Sequence, residues 1–381
     1  MRLALLLYKY FPYGGMQRDF ARFATELQAR GHSCRVYYVT WQGASLPGID
    51  ARKVPVRALS NYRRNIRFHE WVQRDLARDP VDGVIGFNKM PGLDIYFAAD
   101  SCYLDKAHRE RGWGYRRGGR FRHFAAYEAA VFGPDSDTDI LLISASEQAK
   151  FDHYYHTNPS RLHMLPPGVS QERRRGPDAS ARRDKLRQQL GVTGKDHVLL
   201  FVGSGFIKKG LGRAITGLAH MISERADQST QLWVVGQDKE RQFRHLARKL
   251  GVAKRVRFLG GRDDVSDLLL AADALIHPAL DEAAGIVLLE ALVAGLPVVT
   301  TDVCGYAHHI RSSGAGQVLS SPFDQAVLNN AMLRTLDGYY RNQCQSRALE
   351  YAQREDLYSM HTGGAALIEA LLETRRTSRG R

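Results

Sequence analysis

Apolar and polar positions along this chain follow two rhythms, and the rhythms exchange in a regular order. Continuous apolar runs such as LALLLYKYF (3–11), CRVYYVTW (34–41), VDGVIGFN (81–88), IYFAAD (95–100) and DILLI (139–143) have the length and branched content of strands buried in a parallel sheet. Between them lie stretches with helical periodicity, notably QRDFARFATELQAR (17–30), stopped by Gly31, and NIRFHEWVQRDLARD (65–79). RLHMLPPGV (161–169) reads as the last short strand of this series. The alternation restarts at HVLLFVGSG (197–205) and continues through QLWVVGQD, RVRFLGG, ALIHPAL and LPVVTTD. Alternating strands and helices predict parallel, doubly wound α/β sheets. The restart divides the chain into a first Rossmann-like domain over 1–169 and a second over 188–355. The polar stretch 170–187 reads as a surface crossing between them, and 356–381 as a C-terminal helix returning to the first domain, with a disordered TRRTSRGR end. A chain of 381 residues has room for both cores.

One segment breaks the alternation. Residues 102–132 interleave Lys106, Arg109, Arg111, Arg116, Arg117, Arg120 and Arg122 with Trp113, Tyr115 and Phe121. A solvated charged helix and a nucleic-acid surface are two readings. A third is an anchor on anionic lipid, because Trp and Tyr favour the headgroup layer and cations its negative potential. No nucleic-acid motif accompanies the patch, and the anchor fits best. The net charge of +14 calls for an anionic partner of some kind. No apolar run approaches the ~18–20 residues of a membrane span. The apolar N-terminal run reads as a buried strand rather than a signal peptide. Four scattered cysteines, Cys34, Cys102, Cys304 and Cys344, lack metal-ligand spacing and read as free thiols of a reducing compartment.

The densest chemistry lies in DEAAGIVLLEALVAGLPVVTTD (281–302). Strand, turn, helix and strand follow one another, so Glu282 falls in the turn and Glu290 about two turns into the helix. A helix N-terminus there favours phosphate, while carboxylates repel phosphate and accept sugar hydroxyls. The pair therefore suits a ligand carrying both, a nucleotide sugar. A second Gly-rich turn, GSGFIKKG (203–210), sets Lys208 and Lys209 at another helix mouth, matched to a pyrophosphate. Gly14 and Gly15 precede the first helix without completing GxGxxG. Asp19 is placed in that helix's first turn, and Asp100 ends the strand IYFAAD. DSDTD (135–139) imitates a metal-binding DxD, but its place in a loop before a strand favours a turn or cap.

These motifs, with GFNKMPGLDIYFAAD, LPPGV, KKGL, VVGQD, GRDDVSDLLLAADALIHPA and TTDVCGYAHHI, resemble the retaining family 4 glycosyltransferases of the GT-B fold. Along nearly the whole length they resemble those that build the lipopolysaccharide core. The resemblance implies two Rossmann-like domains facing a central cleft, and glucose moved from UDP-glucose onto an inner-core heptose at the cytoplasmic face of the inner membrane. It implies catalytic Glu282, Asp100 and Asp19. The donor would be held by Gly14, Gly15, Lys208, Lys209, Arg262, Ala284, Gly285, Ile286 and Glu290, with Arg262 against the uracil and Glu290 on the ribose. The UDP-sugar is a substrate, and neither cofactor nor metal is expected. The expected partners are a UDP-hexose, a lipid A–inner core acceptor and an anionic lipid surface, with no nucleic acid. Two positions depart from the family pattern: Ser204 stands where many members have Arg, and Asp100 where many have His. A transferase for another envelope acceptor and a UDP-sugar epimerase are the alternatives. Transfer activity is expected to be complete in excess EDTA; strict dependence on Mn²⁺ or Mg²⁺ would contradict this reading.

Overall fold

Leu3 to Leu7 have no exposed surface, so the first apolar run lies where a sheet covers it on every side. The computed structural model describes residues 1–12, 14–225 and 229–379. The chain divides into two units, Met1–Gly168 with Ser359–Arg381, and Val169–Tyr358. The first unit carries a parallel sheet of β1 (Arg2–Leu6), β2 (Ser33–Tyr38), β3 (Asp50–Lys53), β4 (Gly83–Gly86), β5 (Ile95–Ala98), β6 (Asp139–Leu142) and β7 (Leu162–Met164). Their spatial order is β3-β2-β1-β4-β5-β6-β7, with Leu3 opposite both Cys34 and Gly83. The helices of this part are α1 (Gly15–Ala29), α2 (Asn61–Arg78), α3 (Tyr103–Glu110), α4 (Trp113–Arg116), α5 (Gly119–Phe132) and α6 (Ala145–Tyr155). Phe20 and Phe23 of α1 meet Phe87 and Phe97 edge-on at 5.0 and 5.2 Å, which seats the helix on the sheet.

The second unit repeats the plan with β8 (Val198–Val202), β9 (Gln231–Val235), β10 (Val256–Gly260), β11 (Ala274–His277), β12 (Val298–Thr301) and β13 (Gly316–Leu319), in the order β10-β9-β8-β11-β12-β13. Its helices are α7 (Ala179–Gln189), α8 (Leu211–Arg225), α9 (Arg241–Lys249), α10 (Val265–Ala271), α11 (Ile286–Val293), α12 (Ala307–Ser313), α13 (Gln325–Arg334) and α14 (Gly338–Arg354). Both sheets thus share the Rossmann order, with its topological switch between the first and fourth strands of each. The stretch 170–187, expected as a crossing, is built into this unit instead. Its α7 lies on α10, where Arg182 pairs with Asp267 at 2.5 Å and Arg187 is buried against Asp273 at 3.4 Å. Of the arginines that made the stretch look solvent-facing, Arg173, Arg175, Arg182, Arg183 and Arg187 meet carboxylates or carbonyls of the same unit, and Arg174 stays exposed over Tyr358.

The last helix, α15 (Met360–Arg379), belongs to the first unit. Its Glu369 pairs with Arg30 and His32 at 2.5 and 2.6 Å, and Arg375 reaches Asp139 at 2.6 Å. The tail expected to be disordered is therefore helical through Arg379; Gly380 and Arg381 lie outside the described residues. Asp139, the last residue of DSDTD, opens β6 and binds His163 at 2.9 Å. That motif is a docking point for α15.

Residues 102–132 form α3, α4 and α5, tied down by one carboxylate. Glu128 is fully buried and accepts from Lys89, from the backbone N–H groups of Tyr103 and Leu104 at 2.7 and 3.0 Å, and from the Tyr155 hydroxyl at 2.7 Å. It thus neutralises the α3 N-terminus and a buried ammonium together. Glu128→Ala is expected to cost about 3–5 kcal/mol, read as a lower urea midpoint with new proteolytic cuts in 102–118. An unchanged midpoint would contradict the anchoring role.

Candidate active site

In the second sheet β8 and β11 are neighbours at the switch point, and the chain leaves them in opposite directions. The crevice outside their carboxyl ends is where such sheets bind ligands. After β8 the chain turns through Gly203, whose φ is +133°. A Cβ there would stand 2.6 Å from Cδ of Lys209, so only glycine lets that side chain lie across the turn. After β11, Pro278 and Ala279 lead into the turn holding Glu282, and Gly285 at φ +83° caps α11. The turn is latched from outside: Gly305 N–H donates to the carbonyl of Glu282 at 3.2 Å, and Tyr306 N–H to that of Ala284 at 2.8 Å.

Lys209 and Glu282, 73 positions apart, are joined directly as an ammonium–carboxylate pair. Behind Glu282 stands His277, fully buried, its Nε2 3.5 Å from the carboxylate and directed at it. Burial pushes the imidazole below its usual value, so it is neutral at pH 7. Burial would push Glu282 up, but His277 and Lys209 outweigh it and hold the carboxyl at about 2. Nearby, the Cys304 thiol is pushed by burial up to about 11 and stays protonated. Beside them the first turn of α11, at Gly285 and Ile286, points backbone N–H groups without intrahelical acceptors towards the same crevice. Fixed positive charge, a paired carboxylate and free N–H groups together can hold a phosphate beside a polyhydroxyl group.

Glu290 is the fifth residue of α11, one turn in rather than two, because the helix starts only after Gly285. It is buried and faces Arg173, whose Nε lies 3.3 Å from Oε1. Arg173 also carries a buried Nη1 with no protein partner. Lys208, by contrast, is half-exposed and pairs with Asp281 at 3.1 Å rather than with Lys209's partner. Arg262 forks onto Asp264 in the turn after β10. Ser204 accepts from Gln237 N–H at 3.2 Å, closing the β8 turn onto the β9 turn. Arg173 and His277 escaped the sequence reading. His277 left a signal as the one ionisable residue in the apolar run ALIHPAL; Arg173 left only a basic triplet.

In the first unit Gly14 is the N-cap of α1 and Gly15 its first residue, just beyond β1 at that sheet's own switch point. Asp19 is not in the first helical turn, which has no acidic residue. It lies a turn further on and pairs with His361 of α15 at 3.0 Å. Asp100 lies two residues beyond the end of β5 and is exposed. Of the basic segment, Arg109, Arg111, Trp113, Arg117, Arg120 and Arg122 are exposed, with Arg117 stacked over Trp113 at 3.5 Å. Lys106, Tyr115, Arg116 and Phe121 are half-buried, the Tyr115 hydroxyl meeting that of Tyr103 at 3.0 Å, so they stand partly behind that face. Among the described residues no helix is long and apolar enough to cross a membrane.

Two parallel sheets of Rossmann order, one with a phosphate-suited switch point, define a glycosyltransferase of the GT-B fold. Residues 182–354 match the family "Glycosyl transferases group 1". Over 98% of its length the chain is 46% identical to the whole of "Lipopolysaccharide glucosyltransferase WaaG" of Escherichia coli (strain K12). The crystal structure of WaaG, a glycosyltransferase involved in lipopolysaccharide biosynthesis, superposes with a TM-score of 0.91, covering 96% of this chain and 99% of that one at 45% identity. The chain belongs to the lipopolysaccharide glucosyltransferases of the group 1 glycosyl transferases. The Anabaena protein HepE in complex with UDP-glucose shares the fold, with a TM-score of 0.76 at 18% identity over 97% of this chain and all of that one.

The site makes a statement about pH. Glu282 ionises far below its ordinary value of 4.5, so its contribution to stability is complete above pH 4.5 and is lost as pH falls towards 2. The stability difference between wild type and Glu282→Gln is expected to be flat from pH 5 to 8 and to shrink only below 4.5. A difference that shrinks between pH 5 and 7 would mean a carboxyl titrating in a raised range.

Proposed function

We propose that the chain transfers glucose from UDP-glucose to a heptose of the lipopolysaccharide inner core, with retention, while docked on the cytoplasmic face of the inner membrane. The observation that carries this reading is the 46% identity to the E. coli glucosyltransferase over the full length of that protein. The paired Lys209 and Glu282 and the α11 N-terminus support the donor assignment.

In this reading Lys209 and the N–H groups of Gly285 and Ile286 hold the pyrophosphate. Glu282 accepts from hydroxyls of the sugar, and Glu290 from those of the ribose. During reaction the bond from the sugar's C1 to the phosphate oxygen breaks, the acceptor oxygen bonds to C1, and its proton passes to the departing phosphate. Negative charge grows on that phosphate and positive charge on the sugar ring. An ammonium beside the first and a carboxylate beside the second then gain more in the transition state than in the ground state. Neither has to reorganise, because each is already fixed by the other.

The test is glucose transfer from UDP-glucose, in a panel with UDP-galactose and UDP-N-acetylglucosamine, to lipopolysaccharide truncated after the inner-core heptoses. UDP-glucose is expected to be the preferred donor. Lys209→Ala and Glu282→Ala are each expected to lose on the order of 10²–10³ in rate. Preference for another donor, or folded variants at wild-type rate, would overturn the assignment.

The exposed arginines around Trp113 support the docking. Each cation near an anionic surface contributes about 1 kcal/mol, enough in sum for reversible binding. Wild type is expected to sediment with anionic vesicles and release as salt rises. Changing Arg117, Arg120 and Arg122 to Gln should abolish this. Equal binding to neutral vesicles would contradict it.

A further inference from the structure

The second unit has a cavity of about 260 Å³ at the amino ends of its strands, opposite the donor crevice. Asp273 and Pro297, which precede β11 and β12, line it, whereas the donor turns follow the carboxyl ends of the same strands. Four-residue strands at ~3.3 Å per residue set the two places roughly 13 Å apart. The cavity is thus not an extension of the site already described.

Its walls are unusually cationic. Arg175, Arg183 and Arg341 line it, with the amides of Asn342 and Gln345. Asp273 is the one carboxylate in the lining, and it is already shared by Arg183 at 2.7 Å and Arg187 at 3.4 Å. Each lining arginine also closes a helix end. Arg183 donates to the carbonyls of Leu270, in the last turn of α10, and of Ala272 just beyond it, Arg175 to Ala294 beyond α11, and Arg341 to Thr335 and Leu336 beyond α13.

Helix capping is the plain explanation for these arginines, and charge arithmetic shows what it leaves over. A helix C-terminus carries roughly half a negative charge, so three ends offset about half of three guanidinium charges. With Asp273 neutralised by Arg187, the cavity keeps a surplus of more than one positive charge. Capping also uses a single terminal nitrogen of Arg175 and of Arg341. Their other N–H groups meet no acceptor among the described residues. Burial first, and Arg183 beside it second, push the Arg175 guanidinium below its usual value.

We infer that this cavity is a binding site for a small dianionic phosphate, either inorganic phosphate or a phosphomonoester, separate from the donor site. Planar guanidinium forks match phosphate oxygens in pairs, and Arg175 and Arg341 each have one side of the fork unused. The volume admits a phosphate and a short polyol but no nucleotide, and Leu296 and Pro297 give the ester an apolar wall.

Calorimetric titration of the full chain with inorganic phosphate, and separately with glycerol 3-phosphate, is the test. UDP is held at saturation throughout so that the donor crevice is filled. One saturable site is expected, weakened at least tenfold in Arg175→Gln and in Arg341→Gln. It should persist in Lys209→Ala, whose defect lies at the donor crevice. Tighter glycerol 3-phosphate would identify an ester as the occupant, and equal or weaker binding the free ion. Absence of saturable binding, binding indifferent to both arginine variants, or loss in Lys209→Ala would overturn the inference. Two variants are used because the arginines close different helix ends, Arg175 that of α11 and Arg341 that of α13, so the fraying of one helix end cannot account for both losses.

Discussion

The pairing of Lys209 with Glu282 is the interaction on which the second unit's chemistry depends. Neither group would be stable alone in so enclosed a place: a carboxylate with little exposure loses hydration, and the ammonium across the Gly turn pairs with no other carboxylate among the described residues. Joined, they fix each other in place, and the carboxyl stays ionised. Neutral His277 closes the back of the carboxylate without bringing a second cation to compete for the donor. The glycines around them follow from this. Gly203 makes room for the lysine stem, and Gly285 turns the chain so that α11 begins beside the carboxylate. A phosphate arriving at this crevice would find the ammonium already in place, which is electrostatic preorganisation in a literal sense.

That pair exists because of topology. Strands β8 and β11 are adjacent although two strands and their helices separate them in the chain, and only that adjacency brings positions 209 and 282 together. The same strand order in the first unit sets the α1 N-terminus, with Gly14 and Gly15, beyond its own switch point. At the amino ends of the second unit's strands, opposite the donor crevice, the ends of α10, α11 and α13 gather and arginines collect.

Much of this was legible in the sequence, and the reasons are physical. Central parallel strands are buried on both faces, so they appear as unbroken apolar runs, and both sheets could be read from them. Two of the four edge strands could not: β3 reads DARK and β13 GQVL, because an edge strand needs no apolar face on its open side, whereas the edges β7 and β10 kept enough apolar residues to be read. Lys209 and Glu282 were legible as charges at turns before helices. Arg173 was not, because its partner Glu290 is 117 positions away and nothing local marks the pairing. The arginines of 170–187 misled for the same reason. Composition cannot distinguish a cation facing water from one facing a carboxylate of the same unit, and α7 turned out to pack on α10 through part of its cationic face.

The central claim is that Lys209 and Glu282 act as one unit, and a double-mutant cycle addresses it most directly. The kcat/KM for UDP-glucose would be measured for wild type, Lys209→Met, Glu282→Gln and the double variant. Removing either partner leaves the other uncompensated, so the account predicts that the double variant is no slower than the slower single one, a coupling equal to the smaller single loss, about 3–4 kcal/mol for losses of 10²–10³. Losses that simply add would show two independent groups, and would contradict it.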